Sequence, residues 1–260
     1  MKILFLGDVF GKSGRDLVLN QITRLKDYYM PEVLIINGEN LADGKGLTEK
    51  TTKPLFSAGV DIITGGNHLW DRFDSRDFIQ SETRIIKPLN YPSSSVGNPY
   101  RKISAGDEEI LVLSLTGQLF MPPCNSPFEA LETFLTNTER LPKAILVDFH
   151  AESTAEKRAL LHMFDGKVSA IIGTHTHIQT ADEEITEAGT GYITDVGMTG
   201  PHDSVIGIKK HLIMEKMKTC MPIRYEVADS GLQINGIYLE IDTTTGQTVK
   251  ILRIRELIRD

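Results

Sequence analysis

The chain has 260 residues, 40% hydrophobic and 24% charged, with a formal net charge of −7. A chain this long can bury enough surface to fold without a disulfide or a structural metal, so a metal would be there for chemistry. The acidic balance disfavours stable nucleic-acid binding, which depends on phosphate contacts to a basic surface, and no stretch approaches the roughly 20 apolar residues of a membrane span. Two cysteines, Cys124 and Cys220, sit in no paired motif, so a reducing, cytoplasmic setting is expected. The apolar run at the start stops at Asp8, too short for the core of a signal peptide.

Taken in order, Ile3 to Leu6 reads as a buried strand broken by Gly7-Asp8. Residues 13–29 carry Leu17, Val18, Ile22 and Leu25 at helical spacing, with Ser13 as N-cap. Val33 to Ile36 is a second strand, ending in Asn37-Gly38-Glu39-Asn40. A helix follows over about 48–58, closed by Gly59, and Val60 to Thr64 is a third strand before Gly65-Gly66-Asn67-His68. Residues 88–99 read as an irregular connection, and 102–105 with 109–115 as a hairpin around Gly106-Asp107.

A helix over 128–137 leads to the strand Ala144–Phe149, which ends at His150. A helix over 153–164 leads to the strand Val168–Ile172, which ends at Gly173-Thr174-His175-Thr176-His177. Tyr192 to Thr194 is a short strand closed by Asp195-Val196-Gly197, residues 206–218 read as helical, and two strands over 232–241 and 248–257 finish the chain. The βα alternation predicts an α/β fold with parallel strands. We expect a single domain over 1–260 with two sheets and helices packed outside.

Five apolar strands thus end in side chains of metal-ligand type: Asp8, then Glu39-Asn40, then Asn67-His68, then His150, then His175 with His177. In open α/β sheets, sites form at the carboxyl ends of the strands. If these strands are parallel neighbours, the groups meet along one edge. Eight groups exceed the needs of one ion and suit two, roughly 3.5–4 Å apart. Oxygen and imidazole donors without a thiolate fit iron, manganese, zinc or cobalt.

These motifs carry a resemblance. The chain resembles the calcineurin-like metallophosphoesterases. It is more closely similar to the YmdB family of bacterial phosphodiesterases through Gly7-Asp8-Val9-Phe10-Gly11, Asn37-Gly38-Glu39-Asn40, Gly65-Gly66-Asn67-His68-Leu69-Trp70-Asp71, Asp148-Phe149-His150-Ala151-Glu152 and Gly173-Thr174-His175-Thr176-His177. The resemblance implies a two-sheet β-sandwich flanked by helices, holding two divalent or trivalent metal ions, iron first and manganese or zinc after it. It implies that Asp8, Asn40 and His177 hold one ion, that Asn67, His150 and His175 hold the other, and that Glu39 bridges both. His68 would stand beside them as the catalytic acid.

The implied activity is hydrolysis of a small phosphodiester, a 2',3'- or 3',5'-cyclic nucleotide, by a metal-bridging hydroxide. A homo-oligomer is implied as well. A phosphomonoesterase or nucleotidase, or a slow-turnover regulatory protein that binds metal and nucleotide, are the alternatives. The chain departs from the wider superfamily in three places. Phe10 and Asn40 stand in for a ligating histidine, Glu39 replaces the common aspartate, and Leu69 replaces a carboxylate, leaving Asp71 or a backbone carbonyl to orient His68.

Other side chains carry weaker expectations. Lys12 and Arg15 could meet a phosphate at a helix N-terminus, His202 or residues 116–118 could reach the cleft, and Asp195 could cap a turn or support a ligand. His162 reads as structural, His211 as a surface residue, and Met214 and Met217 as core.

Overall fold

The computed structural model describes residues 1–258. The first half runs β1 (Lys2–Leu6), β2 (Asp8–Val9), α1 (Gly11–Tyr29), β3 (Val33–Asn37), α2 (Glu49–Ser57), β4 (Ile62–Thr64), α3 (Arg76–Ser81), β5 (Ile85–Ile86), β6 (Tyr100–Ala105) and β7 (Glu108–Thr116). Then come α4 (Pro127–Asn137), β8 (Ala144–His150), α5 (Thr154–Phe164), β9 (Ala170–Thr174), β10 (Glu184–Ile185), β11 (Gly191–Ile193), β12 (Met198–Pro201), α6 (Lys210–Thr219), β13 (Leu232–Ile241) and β14 (Thr248–Leu257).

The strands form two sheets. The larger runs β2-β12-β13-β1-β3-β4-β5, with β14 on β13; the smaller runs β10-β11-β9-β8-β7-β6. β1, β3, β4 and β5 are parallel, as are β7, β8, β9 and β11. Alternate residues of each strand face opposite ways, and both faces are covered. Ile3, Phe5, Val33, Ile35 and Ile62 meet Val112, Leu146 and Ile172 of the other sheet. Leu4, Leu6, Leu34 and Ile36 pack with Leu17, Val18, Ile22 and Leu25 of α1, while Leu111, Leu113 and Val147 pack with Leu160, Leu161 and Phe164 of α5. Four layers, helix–sheet–sheet–helix, result. They explain why these strands are apolar throughout instead of alternating. The expected α/β fold, two sheets with helices outside, is what the chain adopts.

Local differences have local causes. Helix α1 starts at Gly11, with Phe10 as its N-cap residue; Ser13, expected there, instead donates to the Ala228 carbonyl at 2.7 Å. Thr48 caps α2 through a reciprocal pair with Thr51. Helix α6 starts at Lys210 and not at 206, because residues 205–208 close a tight turn through paired Val205 and Ile208 hydrogen bonds. α6 buries none of its residues, so Met214 and Met217 are 54% and 74% exposed and do not belong to the core. His162 is exposed too.

Phe5 fills the space between the sheets, so Phe5→Ala should cost about 3–5 kcal/mol of stability. Denaturant unfolding should show one transition moved to lower denaturant; two separate transitions would mean that the sheets do not share one cooperative core.

Candidate active site

The parallel strands of both sheets end toward a common cleft of about 560 Å³, lined by Glu39, Asn40, His68, Asp71, His175 and His177 among others. Asp8, Glu39, Asn40, Asn67 and His68 follow β1, β3 and β4 of the larger sheet, whereas His150, His175 and His177 end β8 and β9 of the smaller one. The single-edge expectation is therefore corrected: the donors meet across the sandwich, from two edges brought together by the layer between the sheets.

Inside, the His150 Nε2 lies 2.9 Å from Glu39 Oε1 and 3.0 Å from His175 Nδ1. Glu39, His150 and His175 present donor atoms all within 4.8 Å of one another. Bonds of about 2.0–2.2 Å set the ligands of an octahedral ion about 3 Å apart, so this trio could hold one. Nearby, Asp8 Oδ1 is 3.8 Å from His177 Nε2 and 3.9 Å from His150 Nδ1. Gly66 permits the approach, since a Cβ there would sit 2.2 Å from the His150 ring and 2.3 Å from Glu39 Oε2.

Each imidazole is held from behind. Thr174 gives its hydroxyl proton to Asp148 Oδ1 at 2.7 Å, so it accepts from His150 Nδ1 at 2.8 Å. Asp148 is anchored in turn by Thr64 and Asn37. His175 Nε2 faces Glu152 Oε2 at 3.2 Å. His177 Nδ1 donates to the Ile206 carbonyl at 3.0 Å. The outward nitrogen of all three rings meets a protein oxygen and the inward nitrogen faces the cluster, an arrangement of the kind that supports metal-binding histidines. His175 and His177 have φ of 100° and 67°, strained backbone of the kind concentrated at functional sites.

The oxygen donors match. Asp8 Oδ1, Asn40 Oδ1 and Asn67 Oδ1 are buried with no hydrogen-bond partner. Asn40 spends its amide on the Gly44 carbonyl at 3.0 Å, so the oxygen is the end turned away from that bond. A buried polar atom without a partner costs about 1–3 kcal/mol; a cation beside it removes that cost, and oxygens of this kind fit one.

Charge agrees. Burial pushes the Asp8 carboxyl up to about 6, despite His177 and His150 nearby. Burial acts the same way on Glu39, but His150 and His68 outweigh it and hold it at about 2. Burial would lower His150, yet Glu39 raises it to about 9. Burial and the charge of His150 hold His175 down at about 3, keeping that ring neutral.

His68 stands apart from the trio. Its backbone N–H donates to Glu39 Oε2 at 3.1 Å, and its Nδ1 pairs with Asp71 Oδ2 at 2.9 Å. The orienting group left open between Asp71 and a carbonyl is thus Asp71.

Residues 4–254 match the YmdB-like protein family. The chain belongs to that family. Among YmdB-like relatives, the Bacillus subtilis (strain 168) 2',3'-cyclic-nucleotide 2'-phosphodiesterase is 44% identical over 260 residues, covering 100% of this chain and 98% of the relative. A Mycoplasma pneumoniae phosphatase of known structure superposes with a TM-score of 0.94 at 36% identity, covering 99% of this chain and 93% of that one. A Haemophilus influenzae NAD nucleotidase, at 11% identity and a TM-score of 0.60 over 99% of this chain and 56% of its own, shares the fold.

Other expectations resolve against this YmdB-like site. Arg15 donates to the Leu41 carbonyl and Lys12 pairs with exposed Asp16; the cleft's cations are Lys45 and Arg72. His202 donates to the Met198 carbonyl at 2.9 Å, beside a separate hollow. Asp195 touches no ligating ring. It accepts from Thr176 N–H at 3.0 Å, Gly197 N–H at 2.8 Å and Lys157 Nζ at 2.8 Å, fixing the double-histidine loop. Lys157, Asp148, Thr174 and Glu152 were not singled out in the sequence. A charged residue inside the apolar run Ala144–Phe149 was the available signal for Asp148.

Gly66→Ala should leave the fold intact but push the His150 ring off Glu39. Elemental analysis should then find the variant depleted of metal relative to the parent. A cation must also displace the proton that Glu39 holds on His150, so metal affinity should rise with pH until about 9. Calorimetric titration in two buffers of different ionisation heat should reveal the proton released.

Proposed function

We propose that this chain is one metal-dependent phosphodiesterase domain that hydrolyses cyclic nucleotides, with a 2',3'-cyclic phosphate as the reference substrate. The observation that carries this is the pattern of three imidazoles anchored from behind together with three buried oxygens that lack donors. Of two ions, Asp8, Asn40 and His177 would hold one and Asn67, His150 and His175 the other, with Glu39 available to both. Iron is the first choice and manganese or zinc the next, since the donors are oxygen and imidazole. The 44% relative supports the substrate class. Free thiols at Cys124 and Cys220 fit a reducing cytoplasm. The exposed Val249, Leu252 and Leu257 of β14 fit the homo-oligomer.

When bound, two dications neutralise phosphoryl oxygens and acidify a water. The protein's own groups do the rest. Lys45 and Arg72 at the rim receive the diester's charge. Arg72 also holds the loop in shape through the Ala42 and Lys45 carbonyls. Asp71 accepts from His68 Nδ1, which fixes the ring and leaves Nε2 free to serve as the acid. As the water oxygen bonds to phosphorus and gives up a proton to solvent, the bond to one ribose oxygen breaks, and that oxygen takes the His68 proton, which solvent then restores. An alkoxide leaves poorly, so this proton matters.

His68→Ala should keep its metal and lose about 10²–10⁴ of turnover, while Glu39→Ala should lose metal. Elemental analysis beside assays on a cyclic nucleotide and a nucleoside monophosphate checks both. Faster hydrolysis of the monoester would overturn the diesterase assignment.

A further inference from the structure

One wall of the cleft does no work in the chemistry above. Ile206, Ile208, Ile213, Tyr225 and Phe10 line it. Phe10 is buried, its ring edge-on to His177 with centroids 5.4 Å apart. Ile206 and Tyr225 are the open part, 50% and 44% exposed. Lys216 holds Tyr225 by its hydroxyl at the edge of the ring.

Ile206 is the decisive residue. Val205 and Ile208 exchange backbone hydrogen bonds of 2.8 and 3.1 Å, so Ile206 and Gly207 are the two tip residues of the turn. Both have left-handed backbone, with φ of 47° and 101°. Such turns select Asn-Gly or Asp-Gly, and a β-branched residue with positive φ is a genuine outlier. The strain is not offset by packing, because half of the side chain is in solvent. Only the carbonyl of Ile206 has a task inside the protein, holding His177 Nδ1, and asparagine could perform it equally. The side chain therefore answers to something that enters the cleft.

We propose that Ile206 and Tyr225 form a nucleobase subsite, contacting the faces of a planar base whose phosphate lies over the Glu39–His150–His175 cluster. This deepens the diesterase reading and rests on it. The wall offers apolar and aromatic surface without a fixed set of donors and acceptors, so it accepts any base and favours purines for their larger area. Stacking of a base on an aromatic ring is sequence-tolerant in this way.

The test compares the parent enzyme with Ile206→Asn and Tyr225→Ala on adenosine 2',3'-cyclic phosphate and on glycerol 1,2-cyclic phosphate, a base-free diester of the same ring. For both variants, kcat/KM on the adenosine substrate should fall by about 5- to 150-fold, mostly through KM, and by at least fivefold more than on the glycerol substrate. Ile206→Asn should melt no lower than the parent, since asparagine suits the turn. Equal losses on the two substrates, or no loss on either, would overturn the subsite. If the parent hydrolyses neither diester, the diesterase reading fails by itself. Calorimetric titration with adenosine then decides the subsite: binding lost in Tyr225→Ala supports it, and equal affinity, or none in the parent, overturns it.

Discussion

Asp8 Oδ1, Asn40 Oδ1 and Asn67 Oδ1 are all held out of water with no donor in reach, beside the fully buried Glu39 and Asp148 carboxyls. Concentrating oxygen in a dry place is costly, and most of the architecture around the cleft can be read as the means of tolerating it. The interior answers with partial compensation only. His150 is drawn to Glu39, and Asp8 is left short of positive charge. A site in this condition is poised for cations more than for protons.

The supports are arranged by sheet. On the smaller sheet, the Asp148 carboxylate collects Asn37, Thr64 and Thr174 and passes the constraint to His150. Two of those three donors, Asn37 and Thr64, come from the larger sheet, so the same bonds that orient a ring also tie the two sheets together. On the double-histidine loop, the buried Lys157–Asp195 pair fixes the backbone from below. An isolated buried ion pair is weak evidence for stability. Here its other bonds, to Thr176 N–H and the Thr174 carbonyl, show what it positions. Fold and site share these residues, and neither can be described without the other.

Much of this was legible in the sequence because it is local. An apolar run followed by a polar side chain of ligand type is written within about ten residues, and all five such places lie at or beneath the cleft. The hairpin at Gly106-Asp107 was equally local. What escaped was set by long-range geometry. Nothing near Lys157 on α5 announces that it reaches the loop after β11. Nothing near Glu152 announces His175. That the donors come from two sheets depended on the order of strands in space, which periodicity does not encode. Ile206 lies where a helix was expected over residues 206–218, so a two-residue turn was hidden inside an apolar pattern, and Tyr225 lies beyond that range. α6 misled in the same way: Ile213 packs on Phe10, Met198 and Ile208, whereas Met214 and Met217 stay in solvent.

The strand order has a consequence for how the enzyme comes into being. β1 is flanked by β3, which follows it closely in sequence, and by β13, which comes far later at residues 232–241. On a ribosome, β1 waits with one edge open until residues 232–241 have emerged. The cage is likewise incomplete until His177, roughly two thirds of the way along. Such distant pairing slows folding. It also means that the turn presenting Asp8 is not held in place until β13 pairs with β1 and the Asn235 carbonyl accepts from Gly7 N–H.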